Sequence, residues 1–327
     1  MMSWDERVRA VADYGFTPRQ AGFLVTVMLH AGVCLGRQYC TFARIAYGKA
    51  VHEFFERVVE KGCATARRFR QSNACLYHVH HKPLYEAIGD PDNRHRKPTP
   101  LPRAIEKLMV LDAVLATREH FQWLGTEREK VTYFTLSRRI PQAKLPAVTF
   151  RSERGQTVRH FVDKFPIGVA PGERHHVFLY LATRPMPMEF RLFLERHAEL
   201  LRMLPEWTVR LLIPTHLRSA QLRYEQAFRE QIGTPFRRPL IEELTWFFHA
   251  RRAGGRRSDP RFEKAKLAFA SPRFRALHRT WLERGDVVLD ATISPTLPEA
   301  LARRTGRLDC HVLPHTYLHL SSLVGTA

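Results

Sequence analysis

Between Lys49 and Lys61 the apolar residues Val51, Phe54, Phe55, Val58 and Val59 recur at helical period. With that stripe turned to a core, Lys49, His52, Glu53, Glu56 and Arg57 are left outward or sideways. These residue types suit contact with base edges: arginine forms a bidentate pair with guanine, and a carboxylate accepts from the cytosine amino group. Lys49, at the helix start, suits a phosphate, which fixes register without reading sequence. From Lys61 through Tyr85 the chain holds five Lys or Arg and three His but no acid. Within it Arg67, Arg68, Arg70 and Gln71 suit a basic hairpin that reaches along a phosphate backbone or into a minor groove. A third group, Arg251, Arg252, Arg256 and Arg257, surrounds Gly254-Gly255, and residues 251–266 hold seven Lys or Arg against two acids. Each group has a plainer reading. Arg57 can pair with Glu53 or Glu60 on its own helix, and Arg67, Arg68 and Arg70 can be a charged strand edge that blocks unwanted pairing.

Other chemistries find less support. A magnesium-dependent nuclease of the restriction type needs an acid on one strand and acid-x-Lys on the next. Asp163, followed by Lys164, suits the first acid, but the strand His176 to Arg184 contains neither acid nor lysine. Cys310, His311, His315 and His319 have spacings that would align three histidines on a helix, yet Pro314 interrupts the run. Cys34, Cys40, Cys63 and Cys75 lack the short paired spacing of a zinc knuckle. No phosphate-binding loop, dinucleotide fingerprint or nucleophile elbow is present. The expectation is a protein without catalytic residues, bound metal or cofactor.

The elements that must position these groups follow from the same chain. Thr17-Pro18-Arg19-Gln20 is a helix start, with Thr at the cap and Pro at the first helical position. That helix runs to His30, a second covers Gly36 to Ala46, and the third covers Lys49 to about Lys61. Residues 64–70 and 75–80 read as strands around the polar turn Gln71-Ser72-Asn73. Helix, helix, helix, hairpin is the order of a winged helix-turn-helix, closed by Leu84 to Gly89. Residues 90–102 carry four prolines and read as a linker or exposed loop. Arg103 to His120 is helical, and its apolar set makes it the candidate dimer element. Residues 121–146 read as irregular with a short strand near Val131 to Leu136. Strands at Val158 to Asp163, Val177 to Ala182 and Thr208 to Ile213, with a helix from Pro187 to about Met203, argue a small α/β unit. From Ser219 onward the chain is basic and mostly helical.

The 327 residues allow about two domains. With 44% hydrophobic residues and 21 Phe the chain can fill a core, which excludes wholesale disorder. The formal charge of +20 predicts attraction to a polyanion, with nucleic acid the first candidate. No apolar run reaches the ~20 residues that span a bilayer. The opening Met-Met-Ser-Trp-Asp-Glu is no signal peptide, and five cysteines build no disulfide framework. The expected compartment is the cytoplasm.

Thr17-Pro18-Arg19-Gln20, the helix ending Val58-Val59-Glu60-Lys61-Gly62, the basic hairpin after it and the helix Ala104 to Ala116 together resemble the replication-relaxation or MobC-like proteins of bacterial plasmids and integrative elements. The resemblance covers residues 15–120. It implies a DNA-binding protein of a mobile element, in some members followed by a restriction-nuclease-like domain. The combined expectation is an α+β chain. A winged helix-turn-helix occupies 1–90, a helical connector 91–146, a small α/β domain resembling a degenerate restriction nuclease 147–218, and a basic helical region, a second DNA-binding module, 219–327. The expected function is sequence-specific binding of double-stranded DNA as a homodimer, in transcriptional regulation. A replication initiator or relaxosome accessory protein is the alternative, and a nuclease is disfavoured.

Overall fold

The computed structural model describes residues 2–69, 74–152, 155–254, 259–317 and 320, with only the backbone of 151 and 152. In chain order the elements are α1 (Trp4–Ala12), α2 (Pro18–His30), β1 (Val33–Leu35), α3 (Gly36–Ala43), α4 (Lys49–Glu60), β2 (Ala64–Arg68), β3 (Cys75–Val79), α5 (Lys82–Ala87), α6 (Leu101–Thr117), β4 (Gln122–Leu124) and α7 (Glu127–Thr132). They continue with β5 (Ala147–Ser152), β6 (Gly155–His160), β7 (Ile167–Val169), β8 (His175–Leu181), α8 (Met188–Arg202), β9 (Glu206–Ile213), α9 (Gln221–Ile232), α10 (Arg238–Arg252), α11 (Pro260–Ala268), α12 (Pro272–Arg284), α13 (Val287–Ala291), α14 (Thr296–Ala302) and β10 (Gly306–Val312). This is an α+β fold of helices with a few small sheets. The chain divides into two units: 1–129 with 166–171 and 312–327, and 130–165 with 172–311.

In the first unit, local chemistry sets where α2 begins. Thr17 Oγ1 accepts from the Gln20 N–H, and Gln20 Oε1 accepts from the Thr17 N–H at 3.1 Å, a reciprocal cap with Pro18 in the first turn. Ser3 and Glu6 cap α1 in the same way. Aromatic packing then ties three helices together. Phe23 of α2 meets Tyr39 and Phe42 of α3 at 5.2 and 5.5 Å, and Tyr39 meets Phe54 of α4 at 4.4 Å. Phe55 stacks on Tyr77 of β3 at 4.0 Å, which fixes the sheet against α4. That sheet has the order β1-β3-β2, both pairings antiparallel, with Val33 opposite His78 and Ala64 opposite Val79. Strands β4 and β7 pair antiparallel, with Leu124 opposite Ile167.

Two readings of this unit are corrected. Residues 90–102 are no exposed linker: Asn93 and His95 are buried, and Asn93 Oδ1 accepts from the His95 N–H at 2.7 Å. The His95 carbonyl accepts from His78 Nε2 at 3.1 Å. It also sits so close to Gly32 that a Cβ there would lie 2.4 Å from it, at a φ of +71°. The helix α6 is no free dimer element either. Ala104, Leu108, Met109, Leu111, Val114 and Leu115 are buried within the single chain, so its apolar set is already used.

In the second unit β8 and β9 run parallel, with His175 opposite Glu206 and Leu181 opposite Leu212, and β10 follows on the other side of β9. The crossover helix α8 packs Phe190 and Phe193 on Tyr180 at 4.8 and 5.0 Å. The strand expected at Val158 to Asp163 is instead β6, ending at His160, and among the described residues it pairs only with β5. The segment near Val131 to Leu136 is α7 running into a π-turn at Tyr133–Ser137, not a strand. Helices α10 to α13 enclose their own core, in which Phe247, Phe248, Phe262, Phe269 and Trp281 are buried.

Candidate nucleic-acid interface

The faces of α4 separate cleanly. Val51, Phe54, Phe55 and Val58 are buried, while Lys49, His52, Glu53, Glu56 and Arg57 are exposed. Two bases and three acids leave α4 with a net charge of −1. Its outward face is therefore suited to hydrogen bonding and not to bulk attraction of phosphate. Lys49 Nζ lies 3.5 Å from Glu53, an exposed pair of small energetic weight. Arg57 has no ion-pair partner among the described residues, so the competing pairings with Glu53 and Glu60 are not formed. His52 meets Tyr47 edge-on at 5.2 Å, and Tyr47 is 58% exposed. Tyr47 stands outside the candidate contact residues offered by the sequence. Its ring packs over Gly36, where a Cβ would lie 2.7 Å away, so it is held at the start of α4 with its face in water.

The cationic part is on the hairpin. Thr65, Ala66, Arg67 and Arg68 of β2 are exposed in succession, anchored by buried Ala64 and Phe69 at either end. The Arg67 guanidinium lies 5.6 Å from the Phe69 ring, which steadies the side chain without neutralising it. Arg70 and Gln71 fall outside the described residues. Burial lowers the pKa of His78, whose Nε2 is engaged by the His95 carbonyl. Nearby arginines are already used. Arg37 is paired with Asp112, and Arg44, left-handed at the end of α3 with a φ of 55°, is paired with Glu119.

Arg251 and Arg252 are exposed on the last turn of α10, in the second unit. Cations are favoured there by the helix dipole. Arg252 lies 6.0 Å from the Trp281 ring. Arg256 and Arg257 fall outside the described residues.

Asp163 is held by Arg196 at 2.8 Å, with each side chain 14% exposed, and burial raises its pKa while the arginine opposes that rise. On β8 the residue following His175 is His176, fully buried, with the Tyr133 hydroxyl 2.9 Å from Nε2. Cys310 lies on β10, and His319 falls outside the described residues. Among the described residues no three His, Cys, Asp or Glu side chains converge to hold a metal. None of the described helices is long and apolar enough to cross a membrane. No protein-family model, curated protein or solved structure matches the chain.

Proposed function

We propose that the segment from α2 to β3 is a winged helix-turn-helix and that the protein is a sequence-specific double-stranded DNA-binding protein, a transcriptional regulator of a mobile genetic element. One observation carries this reading. The buried stripe of α4 leaves a continuous polar face of Lys49, His52, Glu53, Glu56 and Arg57, and the basic strand β2 follows directly. A major groove admits a helix that presents such a face. In this reading Arg57 pairs with guanine and Glu53 or Glu56 accepts from cytosine. Arg67 and Arg68 meet phosphates and supply the attraction that α4, at net −1, lacks.

The assignment to a mobile element rests on the resemblance of residues 15–120 to plasmid and integrative-element proteins. A cytoplasmic homodimer on an inverted repeat belongs to the same reading, because one short helix buries little surface and two-fold pairing doubles it. The basic turn at Arg251 and Arg252 supports the second reading, a replication initiator or relaxosome accessory protein holding DNA at two places. The test is selection of bound duplexes from a random pool by the full chain, followed by gel shifts on the enriched sequence. A palindromic consensus is the expected result. Retention of the pool without enrichment would reduce the protein to a non-specific binder.

A further inference from the structure

Strands β5 and β6 form a two-stranded ribbon with no third strand among the described residues. Six residues a side pair from Ala147 opposite His160 to Ser152 opposite Gly155. At about 3.4 Å per residue that is a projection of roughly 20 Å. Its root is firm: Leu145 and Phe161 are buried, and the Phe161 N–H donates to the Pro146 carbonyl at 2.8 Å. Exposure then rises outward. Ala147, Val148 and Thr149 are half-buried, Phe150 is 53% exposed, and Gly155, Gln156, Thr157, Val158 and Arg159 are all exposed. A lone two-stranded ribbon is marginally stable in water. One that also exposes a phenylalanine and a valine is better suited to lie against something else.

Strand alternation and the register put Val148, Phe150, Thr157 and Arg159 on one face, and Thr149, Gln156 and Val158 on the other. Neither face is an apolar stripe of the kind that joins two proteins. Residues 147–160 carry three arginines against one glutamate, a net +2. A second copy of the ribbon would bring the same sign of charge, and a polyanion the opposite sign. A two-stranded ribbon fits the major groove, which is about 12 Å wide.

We infer that β5–β6 is a second DNA-reading arm that enters the major groove of a duplex. Phe150 lies against thymine methyl groups, Thr157 reaches a base edge and Arg159 a phosphate. The choice of duplex DNA as occupant rests on the proposed function, whereas the arm itself does not depend on α4.

The test places p-benzoylphenylalanine at position 150 of the full chain and irradiates it with a random-sequence duplex of about 30 base pairs, roughly three helical turns. A covalent adduct with DNA is expected from position 150. None is expected from position 222, where Leu222 is 72% exposed on α9. The combined variant Thr157→Ala and Arg159→Ala, with unchanged circular dichroism, is expected to bind the selected duplex roughly tenfold more weakly. Adducts with another copy of the chain, or no adduct from protein that still binds the duplex, would overturn the arm and leave the reading of α4 intact. The adduct is expected to persist in the triple variant Arg57→Ala, Arg67→Ala and Arg68→Ala. If that variant also keeps full affinity and sequence preference, the reading of α4 fails and the arm stands. No duplex binding by the unaltered chain would overturn both.

Discussion

The carboxylate of Asp112 on α6 receives both terminal guanidinium nitrogens of Arg37 on α3, at 2.9 and 2.8 Å. Gln38 Nε2 donates to the same carboxylate at 2.7 Å. The Tyr317 hydroxyl accepts from Arg37 at 2.7 Å and donates to Asp112. Four side chains drawn from α3, α6 and the C-terminal segment thus form one closed network. It anchors α3, the helix whose end sets the turn into α4.

Removing one partner should be worse than removing both. Asp112→Ala leaves Arg37 uncompensated, and with the side chains 30% and 14% exposed the expected loss is roughly 2–3 kcal/mol, below that of a fully buried pair. Urea titration should show the midpoint fall. The double replacement Arg37→Met with Asp112→Leu should recover only part of it, because it also takes these two partners from the Tyr317 hydroxyl. An unchanged midpoint for Asp112→Ala would mean that the network contributes no stability.

Gly32→Ala is expected to destabilise the first unit by roughly 2 kcal/mol or more, because it adds a left-handed backbone penalty to a clash. The φ of +71° and the 2.4 Å approach to the His95 carbonyl act together. Thermal unfolding measures the loss. A shift no larger than that of an exposed substitution would show that His95 moves aside freely.

The two arginine groups should separate by salt dependence. Neutralising Arg67 and Arg68 should weaken binding to every duplex alike and lower the slope of log affinity against log salt by about 0.9 per lost phosphate contact. Arg57→Ala should weaken binding to the selected site by roughly 1–3 kcal/mol and to scrambled duplex much less. Isotherms at several salt concentrations on both duplexes measure this. Equal losses on the two duplexes for Arg57→Ala would make it a phosphate contact.

The second unit should lose stability as pH falls below about 6.5. Burial lowers the pKa of His176 to about 4 and that of His197 to about 3. In the unfolded chain both take up protons near the ordinary value of 6.5, so over the interval below it the unfolded state holds more protons. Stability is therefore complete above pH 6.5 and declines down to about pH 3, with the His176 part of the loss complete near pH 4. Denaturant titrations at pH 8, about 6 and about 5 should show the fall, and His197→Gln should flatten it. A flat profile in the unaltered chain would contradict neutral burial of these rings.

Supercoiled plasmid should survive incubation with the protein and Mg²⁺ or Mn²⁺. Asp163 is engaged by Arg196, and β8 supplies no partner carboxylate or lysine. Gel electrophoresis is sufficient, and cutting that vanishes in Asp163→Ala would restore a nuclease.

Where rules act within one turn of chain, sequence and structure agree. Thr17, Pro18 and Gln20 start α2 where the cap chemistry places it, and the stripe of Val51, Phe54, Phe55 and Val58 turns inward as its period requires. The Ser3–Glu6 cap of α1 follows the same local rule. Partners distant in sequence were another matter. Strand β1 is three residues, all buried, with no alternation to read, and it exists because β3 lies beside it. Residues 90–102 look like a loop by their prolines, yet Asn93 and His95 are buried against a backbone that only the folded chain brings near. Arg37 and Asp112 stand 75 residues apart, and no periodicity links them. The apolar set of α6 was visible, but not that its own unit would consume it. Nor could β5 and β6 be known to stand alone, since a strand's local pattern does not say whether a third strand will join it. Local propensity and period act through neighbouring residues and are written in the chain, whereas burial, ion pairing and sheet partners depend on distances that only closure of the fold defines.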